Sequence, residues 1–353
     1  PLDKPKFSRS SLTLASVAPS VCTSTPRFDR RRGPDSRQVA LLDDELTSST
    51  APTMSMKKET PSDVKLHLAA VNGDLRCIRR LLDSGKVHVD CSDKDGTTPL
   101  ILSAANGHVE CVLELLDQGA DPCARRHTGT TALFFAAQSG YTEIASILLR
   151  HGTPVDIPSV DGGTPLFVAC QYAHLDMIQL LIKHGSRVNG QMKDGATPLF
   201  IAAQNGHCSV VSLLLAHGAR VSTPRLDSAT PLWIASQMNH SDVCKMLLLA
   251  GHPVDALRKN GATPLFKAAH KGYIDVVHEL LKYKPNLDLL PNGESALHAA
   301  CLFGHLPVVK MLMRAGADPK LVNADGFSPI QLAKKANHGQ VVHYLNQWQT
   351  YVR

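Results

Sequence analysis

Residues 197–218 read TPLFIAAQNGHCSVVSLLLAHG, and this pattern recurs along most of the chain. Thr-Pro-Leu begins at Thr98, Thr164, Thr197, Thr230 and Thr263, and related tripeptides begin at Thr131, Ser295 and Ser328. The spacing from 98 to 328 is 33 residues at every step except one of 32. A short, fixed period predicts a row of small structural units rather than one globular core.

Each unit is predicted to be a turn followed by two short helices. Thr197 is a suitable N-cap because its hydroxyl can accept an otherwise unpaired backbone N–H, and Pro198 has the backbone geometry of a first helical residue. Gly206 can end this helix, since glycine adopts positive φ without strain. A second helix with paired leucines then runs to Gly218.

Nine copies are expected, and the first and last are expected to cap the row. A degenerate first copy begins near Val64, 34 residues before Thr98, and the last copy carries Lys334 and Lys335 before a polar tail. A helix pair of this size has one apolar face, which it can bury only by stacking on the next pair. We therefore predict an all-α solenoid over residues 61–350.

Two copies depart from the repeat pattern in their turns. Asp227-Ser228 replaces the usual Asp-Gly, and Lys284-Pro285 replaces Gly-Ala in the copy that is one residue short. Because turn residues are chosen for their backbone freedom, we expect a local irregularity at both places.

The combination of repeated elements resembles a known family. Thr-Pro-Leu, Ala-Ala, Gly-His, Leu-Leu and Gly-Ala-Asp recur in phase, with full matches to the last element at residues 119–121 and 316–318. This pattern resembles the ankyrin repeat over about residues 60–350. The resemblance implies a non-enzymatic protein-interaction scaffold that binds with its turn tips and the concave, exposed face of its first helices. It also implies asparagine hydroxylation, for which Asn189, after the run 180–188, is the candidate.

Residues 1–60 differ in composition from the repeats. They are rich in Ser, Thr and Pro, with an arginine run at 30–32. We interpret them as disordered, because such a segment buries too little apolar surface to offset its chain entropy. A targeting peptide around residues 4–18 and a basic localisation patch at 30–32 are alternatives. The chain starts with Pro1, so Met54 or Met56 is a further candidate for the natural start.

The composition of the chain excludes some classes of protein. The chain is 43% apolar and 19% charged, which excludes a wholly disordered protein. Its net charge of +6 is spread evenly, with 10 basic and 7 acidic residues in 1–60 against 27 and 24 in the rest. No stretch reaches the length of apolar sequence that a transmembrane helix needs. The nine cysteines are dispersed without a CxxC pair, which predicts reduced thiols. We expect a monomeric cytoplasmic protein, with nuclear entry left open.

No catalytic, cofactor or metal site is predicted. The sequence lacks the phosphate-binding, zinc-protease and nucleophile-elbow motifs of common enzymes. Six of the 17 histidines share one phase of the repeat, and their side chains are expected to bond the local backbone. These six are His108, His174, His207, His240, His305 and His338.

Two rows of polar residues form the candidate partner-binding surface. The row at the turn tips consists of Lys94, Arg126, His127, Lys193, Arg225, Arg258 and Lys259. The row on the first helices consists of Gln138, Gln171, Tyr172, Gln204, Gln237, Met238 and His270. Together they predict a surface for an extended acidic or polar segment of another protein.

Two alternatives to this surface stay open. In the first, the turn tips are exposed to solvent and bind no partner, and the glutamines are part of the repeat consensus without a binding role. The basic row can instead bind nucleic acid or another polyanion, although a net charge of only +3 over the repeats disfavours this. A third row, of Phe134, Phe167, Phe200, Trp233 and Phe266, is interpreted as packing between first helices.

Overall fold

The computed structural model describes residues 60–291 and 293–351, which form nine helix pairs. The interpretation of residues 1–60 therefore lies outside the described residues, apart from Thr60. The first helices of the pairs are α1 (Pro61–Asn72), α3 (Pro99–Asn106), α5 (Ala132–Ser139), α7 (Pro165–Gln171), α9 (Pro198–Asn205), α11 (Pro231–Gln237), α13 (Pro264–Lys271), α15 (Ala296–Leu302) and α17 (Pro329–Lys335). The second helices are α2 (Leu75–Asp83), α4 (Val109–Asp117), α6 (Thr142–Arg150), α8 (Leu175–Lys183), α10 (Cys208–Ala216), α12 (Ser241–Leu249), α14 (Ile274–Leu281), α16 (Leu306–Arg314) and α18 (Gly339–Tyr351).

The first helices begin at hydroxyl caps, as predicted. The Thr197 hydroxyl accepts the backbone N–H of Phe200 at 3.1 Å. The same bond occurs at Thr98, Thr131, Thr164, Thr230, Thr263 and Ser295. The predicted start of the first copy near Val64 is wrong, because Thr60 caps α1 and Asp63 completes a capping box.

The helix pairs stack side by side. Each first helix packs on the first helices of the copies before and after it, and the second helices pack on one another in the same way. One continuous apolar cluster runs from Leu66 in α1 to Leu345 in α18. The predicted all-α solenoid is confirmed, and its apolar core is continuous from copy to copy.

The six phased histidines bond neighbouring copies together. His240 Nε2 lies 2.9 Å from the carbonyl oxygen of Gln204, in the preceding copy. His108, His174, His207, His305 and His338 make the same contact one copy back. A Cβ on Gly206, whose φ is +76°, would lie 2.5 Å from His240 Nδ1. The histidine therefore bonds the backbone of the preceding copy rather than its own turn, and the glycine provides space for it.

Before most of the first helices the chain makes a tight hairpin-like turn, which we call a finger. In the finger at 192–196, the Met192 N–H donates to the Ala196 carbonyl at 2.9 Å. Neighbouring fingers are joined by one backbone bond, as from the Lys193 N–H to the Asp161 carbonyl at 2.9 Å. Equivalent bonds start at the N–H groups of His127, Val160, Leu226, Lys259 and Ala324. This ladder holds successive fingertips in register.

The expected irregularity at Ser228 is wrong. Ser228 adopts φ +62°, and its N–H still donates to the Arg225 carbonyl at 2.9 Å. The ladder bonds of Leu226 and Lys259 on either side are kept. Ser228 itself adopts the left-handed conformation. The backbone strain is therefore confined to one residue, and the hydrogen bonds of the finger are kept.

The expected irregularity at Lys284-Pro285 is confirmed. Lys284 adopts φ +50°, and α14 has eight residues where most second helices have nine. Pro285 has no N–H, so it cannot make the bond that Ala120 makes to the Leu115 carbonyl in an earlier copy. Pro291 likewise cannot donate at its ladder position. Two backbone bonds are therefore missing at the junction between the seventh and eighth copies.

We expect the buried His298 to make the stability of the fold depend on pH. His298 is fully buried in α15, with Nδ1 2.7 Å from the Ser295 hydroxyl and Nε2 3.2 Å from the Phe327 carbonyl. Burial lowers the pKa of His298, and also those of His252 and His270. The folded chain therefore resists protonation at these side chains.

We expect the free energy of unfolding to fall as pH drops below about 6.5, where the unfolded histidines bind protons that the folded chain excludes. Stability from this source is fully present above that pH. Urea unfolding at pH 7.5 and 5.5 measures the loss for the natural chain and for His298→Phe, which cannot titrate. The variant should lose less between the two pH values. An equal loss in both would show that His298 does not contribute.

Candidate functional site

The exposed fingertip cations form one edge of the candidate site. Lys94, His127, Lys193 and Lys259 occupy the same position in their fingers and are exposed. Within residues 60–291 and 293–351, none of these four side chains makes an ion pair. Exposed apolar residues stand at the same position in two other fingers, Val160 and Leu226, and Leu226 is 66% exposed.

The three arginines of the basic row point inward instead. The Arg258 guanidinium lies 2.8 Å from Asp227 Oδ2 and 4.6 Å from the ring centre of Trp233. Arg225 and Arg126 are half-buried in the same manner, each beside an aspartate of the preceding finger and an aromatic ring. The structure thus divides the predicted basic row into exposed tips and inward-facing arginines that are already paired.

The pKa of Asp227 reflects this pairing. Burial raises the pKa of Asp227, but the Ala229 N–H, Arg225 and Arg258 outweigh it and hold the pKa below its usual range. The carboxylate is therefore ionised at neutral pH and neutralises much of the charge of its two arginines. The arginines act in folding, and their charge is only partly available to a partner.

The predicted glutamine row lies on the first helices beside the fingers. Gln138, Gln171, Gln204 and Gln237 are half-buried at one phase, followed by His270. In the described part of the chain, no protein group hydrogen bonds to these four side-chain amides. Of the flanking residues, Tyr172 is half-buried and Met238 is exposed. We call the exposed tips and the glutamine row together the finger-and-palm surface.

The aromatic row is core, as interpreted from its helical spacing. Phe167, Phe200 and Trp233 are buried within the continuous apolar cluster, and Phe134 and Phe266 are half-buried. Two of these rings, Phe200 and Trp233, also provide the surfaces on which Arg225 and Arg258 lie.

A pocket of about 230 Å³ opens between the palm and the fingers. Its walls include Phe134, Phe167, Ser159, Asp161, Gln171 and Met192. Of these, only Gln171 belongs to the predicted site. The pocket lies where Ser159 and Met192 stand at the position that Arg126, Arg225 and Arg258 occupy in three other fingers, and this interruption of the arginine row was the available sequence signal.

A family model of ankyrin repeats, built from three consecutive copies, matches residues 66–159, 118–192, 152–225, 187–258 and 232–323. These overlapping matches cover more than half of the chain. The chain belongs to the ankyrin repeat family. Proteins of this family generally mediate protein–protein interactions.

Curated relatives share shorter segments with this ankyrin chain. Ankyrin repeat domain-containing protein 29 of Homo sapiens is 52% identical over 56 residues, which is 16% of this chain and 19% of that protein. Its Danio rerio counterpart is 49% identical over 56 residues, 16% of this chain and 19% of that protein. Notch-regulated ankyrin repeat-containing protein B of Danio rerio is 36% identical over 74 residues, 20% of this chain and 67% of that protein. The match thus spans about a fifth of the first two relatives.

The candidate ankyrin hydroxylation residue has a structural role. Asn189 Oδ1 accepts the Arg220 N–H at 2.8 Å, and its amide donates to the Gly218 carbonyl at 3.0 Å. Asn189 is exposed in the linker after α8. It links two copies of the ankyrin stack, and its hydroxylation stays a prediction.

The described ankyrin stack offers no cluster of metal ligands. Among residues 60–291 and 293–351, no three His, Cys, Asp or Glu side chains converge on one point. Burial raises the pKa of the Cys244 and Cys301 thiols to about 12, so both are protonated at neutral pH and are poor nucleophiles. None of the described helices has both the length and the apolar character needed to span a bilayer.

Proposed function

We propose that this ankyrin repeat protein is a non-enzymatic scaffold that binds an extended acidic or polar segment of a protein partner on the finger-and-palm surface. The observation that carries the proposal is the pairing of two rows on one face. Exposed cations stand at ladder-fixed tips, and beside them lie glutamine amides without hydrogen-bond partners among the described residues. Such groups can donate to carboxylates and to a bound backbone.

The spacing of the tips supports an extended partner. Neighbouring packed helices lie about 8–10 Å apart. An extended chain advances about 3.3 Å per residue, so about three partner residues separate successive tips. Lys193 and Lys259 are two copies apart, so acidic side chains about six residues apart would reach both tips.

The polyanion alternative is less favoured by the same geometry. Three of the seven basic residues in the row, Arg126, Arg225 and Arg258, already pair with aspartates of this chain. Phosphate-backbone binding depends on the number of free cations, which is reduced to the exposed tips. We also propose a monomeric cytoplasmic protein, supported for the compartment by the thiols of Cys111, Cys170, Cys244 and Cys301, which are buried without a disulfide.

Site-specific photo-crosslinking in cells tests the proposal. Benzoylphenylalanine replaces Gln204 on the palm in the full chain, and the matched control replaces Gln179, an exposed glutamine on the second helix α8. We expect defined proteins to be crosslinked from position 204 and not from 179. Identical crosslinks from both positions, or none from 204, would contradict a partner-binding palm.

Charge reversal at the tips tests the role of the cations. Lys94, Lys193 and Lys259 are changed together to Glu, which leaves the inward arginines and their packing in place. We expect binding of the crosslinked partner to weaken by about tenfold or more, because three favourable charge contacts become repulsive. Lys86, Lys183 and Lys245, exposed away from the fingers, are reversed as the control. Equal weakening in both triple variants would show a general effect of net charge.

A further inference from the structure

The inward arginines define a recurring binding geometry within the chain. Each lies against an aspartate 31 residues earlier, and in two of the three cases against an aromatic ring 25 residues earlier. Arg258 lies on Trp233 and pairs with Asp227, and Arg225 lies 5.2 Å from the ring centre of Phe200 and 3.6 Å from Asp194. The stack thus provides cradles made of a ring and a carboxylate, and each of these two is filled by its own guanidinium.

One cradle is complete except for its arginine. Met192 stands at the arginine position of its finger, and the same offsets lead to Asp161 and Phe167. All three residues line the pocket of about 230 Å³. Ligand pockets for drug-sized molecules run from about 300 to 1,000 Å³, so this pocket has the size for one side chain.

The Asp161 carboxylate lacks both contacts that Asp194 makes in the next finger. Ser159 accepts the backbone N–H of the turn in its place, and Met192 stands where an arginine would pair with it. In the next finger, the Asp194 carboxylate accepts the Ala196 N–H at 2.9 Å as well as pairing with Arg225. In the earlier finger, the Gly163 N–H donates instead to the Ser159 hydroxyl at 3.0 Å. Within the described ranges, no hydrogen bond or ion pair to Asp161 side-chain oxygens is present.

We propose that this pocket binds an arginine side chain of the partner segment. The partner's guanidinium would lie where Arg225 and Arg258 place theirs in later fingers. It would lie on Phe167 and pair with Asp161, and the Gln171 amide oxygen would be a further acceptor. Arginine suits the pocket because it combines a flat face that stacks on rings with a fork of donors for a carboxylate. The exposed Lys193 and His127 are next in sequence to the pocket-lining residues Met192 and Thr128, so we expect acidic residues near this arginine in the partner. The inference rests on the proposed function, since it specifies one side chain of the partner.

A methyl signal inside the pocket reports binding directly. The full chain is labelled with ¹³C at its methionine methyl groups, and Met192 is assigned with Met192→Leu. The probe is acetyl-Gly-Glu-Gly-Arg-Gly-Glu-Gly-amide, and its control carries citrulline, which has the same shape without the charge. We expect the arginine peptide to shift the Met192 signal saturably while buried Met177 stays in place. Asp161→Asn should weaken binding about three- to tenfold, because it removes the charged acceptor. Equal shifts with the citrulline peptide would overturn the proposal.

A second measurement needs no partner. Met192→Arg supplies the missing guanidinium within the chain, so we expect it to raise the urea midpoint and to abolish binding of the arginine peptide. In an Asp161→Asn background the same substitution should give no gain in midpoint. The proposal is overturned if Met192→Arg leaves peptide binding unchanged, or if its effect on the midpoint is the same in both backgrounds. If these tests fail while the crosslinks stay specific to position 204, the arginine pocket is wrong and the scaffold proposal stands. If position 204 gives no specific crosslinks, the proposed function itself is wrong.

Discussion

Phe200→Ala is expected to lower the free energy of unfolding by about 3–5 kcal/mol. Phe200 is 1% exposed in α9, and α9 packs against the first helices α7 and α11 of the neighbouring copies. The Arg225 guanidinium also lies over the Phe200 ring. The substitution therefore opens a cavity between copies and removes the support of one finger arginine. Urea unfolding followed by circular dichroism measures the change.

Phe134→Ala is the matched control for this prediction. Phe134 occupies the same position two copies earlier but is half-buried, because it faces the pocket. Removing a half-buried ring leaves a smaller cavity, so the control should lose clearly less stability. Equal losses at the two positions would mean that Phe200 does not carry the packing between copies that its burial indicates.

Leu214→Ala is expected to cost about 2–5 kcal/mol. Leu214 is 0% exposed in α10, in the layer of second helices. Because each copy is stabilised mainly by its neighbours, the cavity weakens two interfaces at once. Hydrogen exchange should show the largest loss of protection in α8, α10 and α12, and urea unfolding gives the total change.

The control for Leu214 is another leucine of the same layer. Leu249, in α12, is 70% exposed, so Leu249→Ala should change stability by no more than about 0.5 kcal/mol. A result in which the two variants unfold at the same urea concentration would exclude Leu214 from the core. Loss of protection spread evenly over all helices would instead indicate that the stack unfolds as one cooperative unit.

The tip lysines and the inward arginines of the basic row are held in place by different contacts. The fingertips are placed by backbone bonds between fingers, so substitutions at Lys193 or Lys259 leave the ladder in place. Arg225 and Arg258 lie on core rings, so changes there alter folding and binding together. Experiments on partner binding are therefore cleaner at the lysines than at the arginines.

The repeat, most of its helix boundaries and most of its core could be predicted from the sequence, because each rests on short-range chemistry. A Thr197 cap bonds an N–H three residues away, Gly206 ends a helix through its own φ, and apolar spacing within one helix sets its buried face. These features need no knowledge of the neighbouring copy. The expected irregularity at Ser228 was wrong because side-chain identity alone does not show whether the ladder on either side can hold a strained residue.

Relations between copies appeared only once the chain was stacked. His240 bonds a carbonyl 36 residues away, Arg258 pairs with an aspartate 31 residues away, and the pocket joins three fingers. In the linear chain Arg225 and Lys193 look alike as basic residues near a turn. Packing separates them, because the Arg225 side chain reaches a ring and a carboxylate in the preceding copy, whereas Lys193 is exposed and makes no ion pair within the described residues.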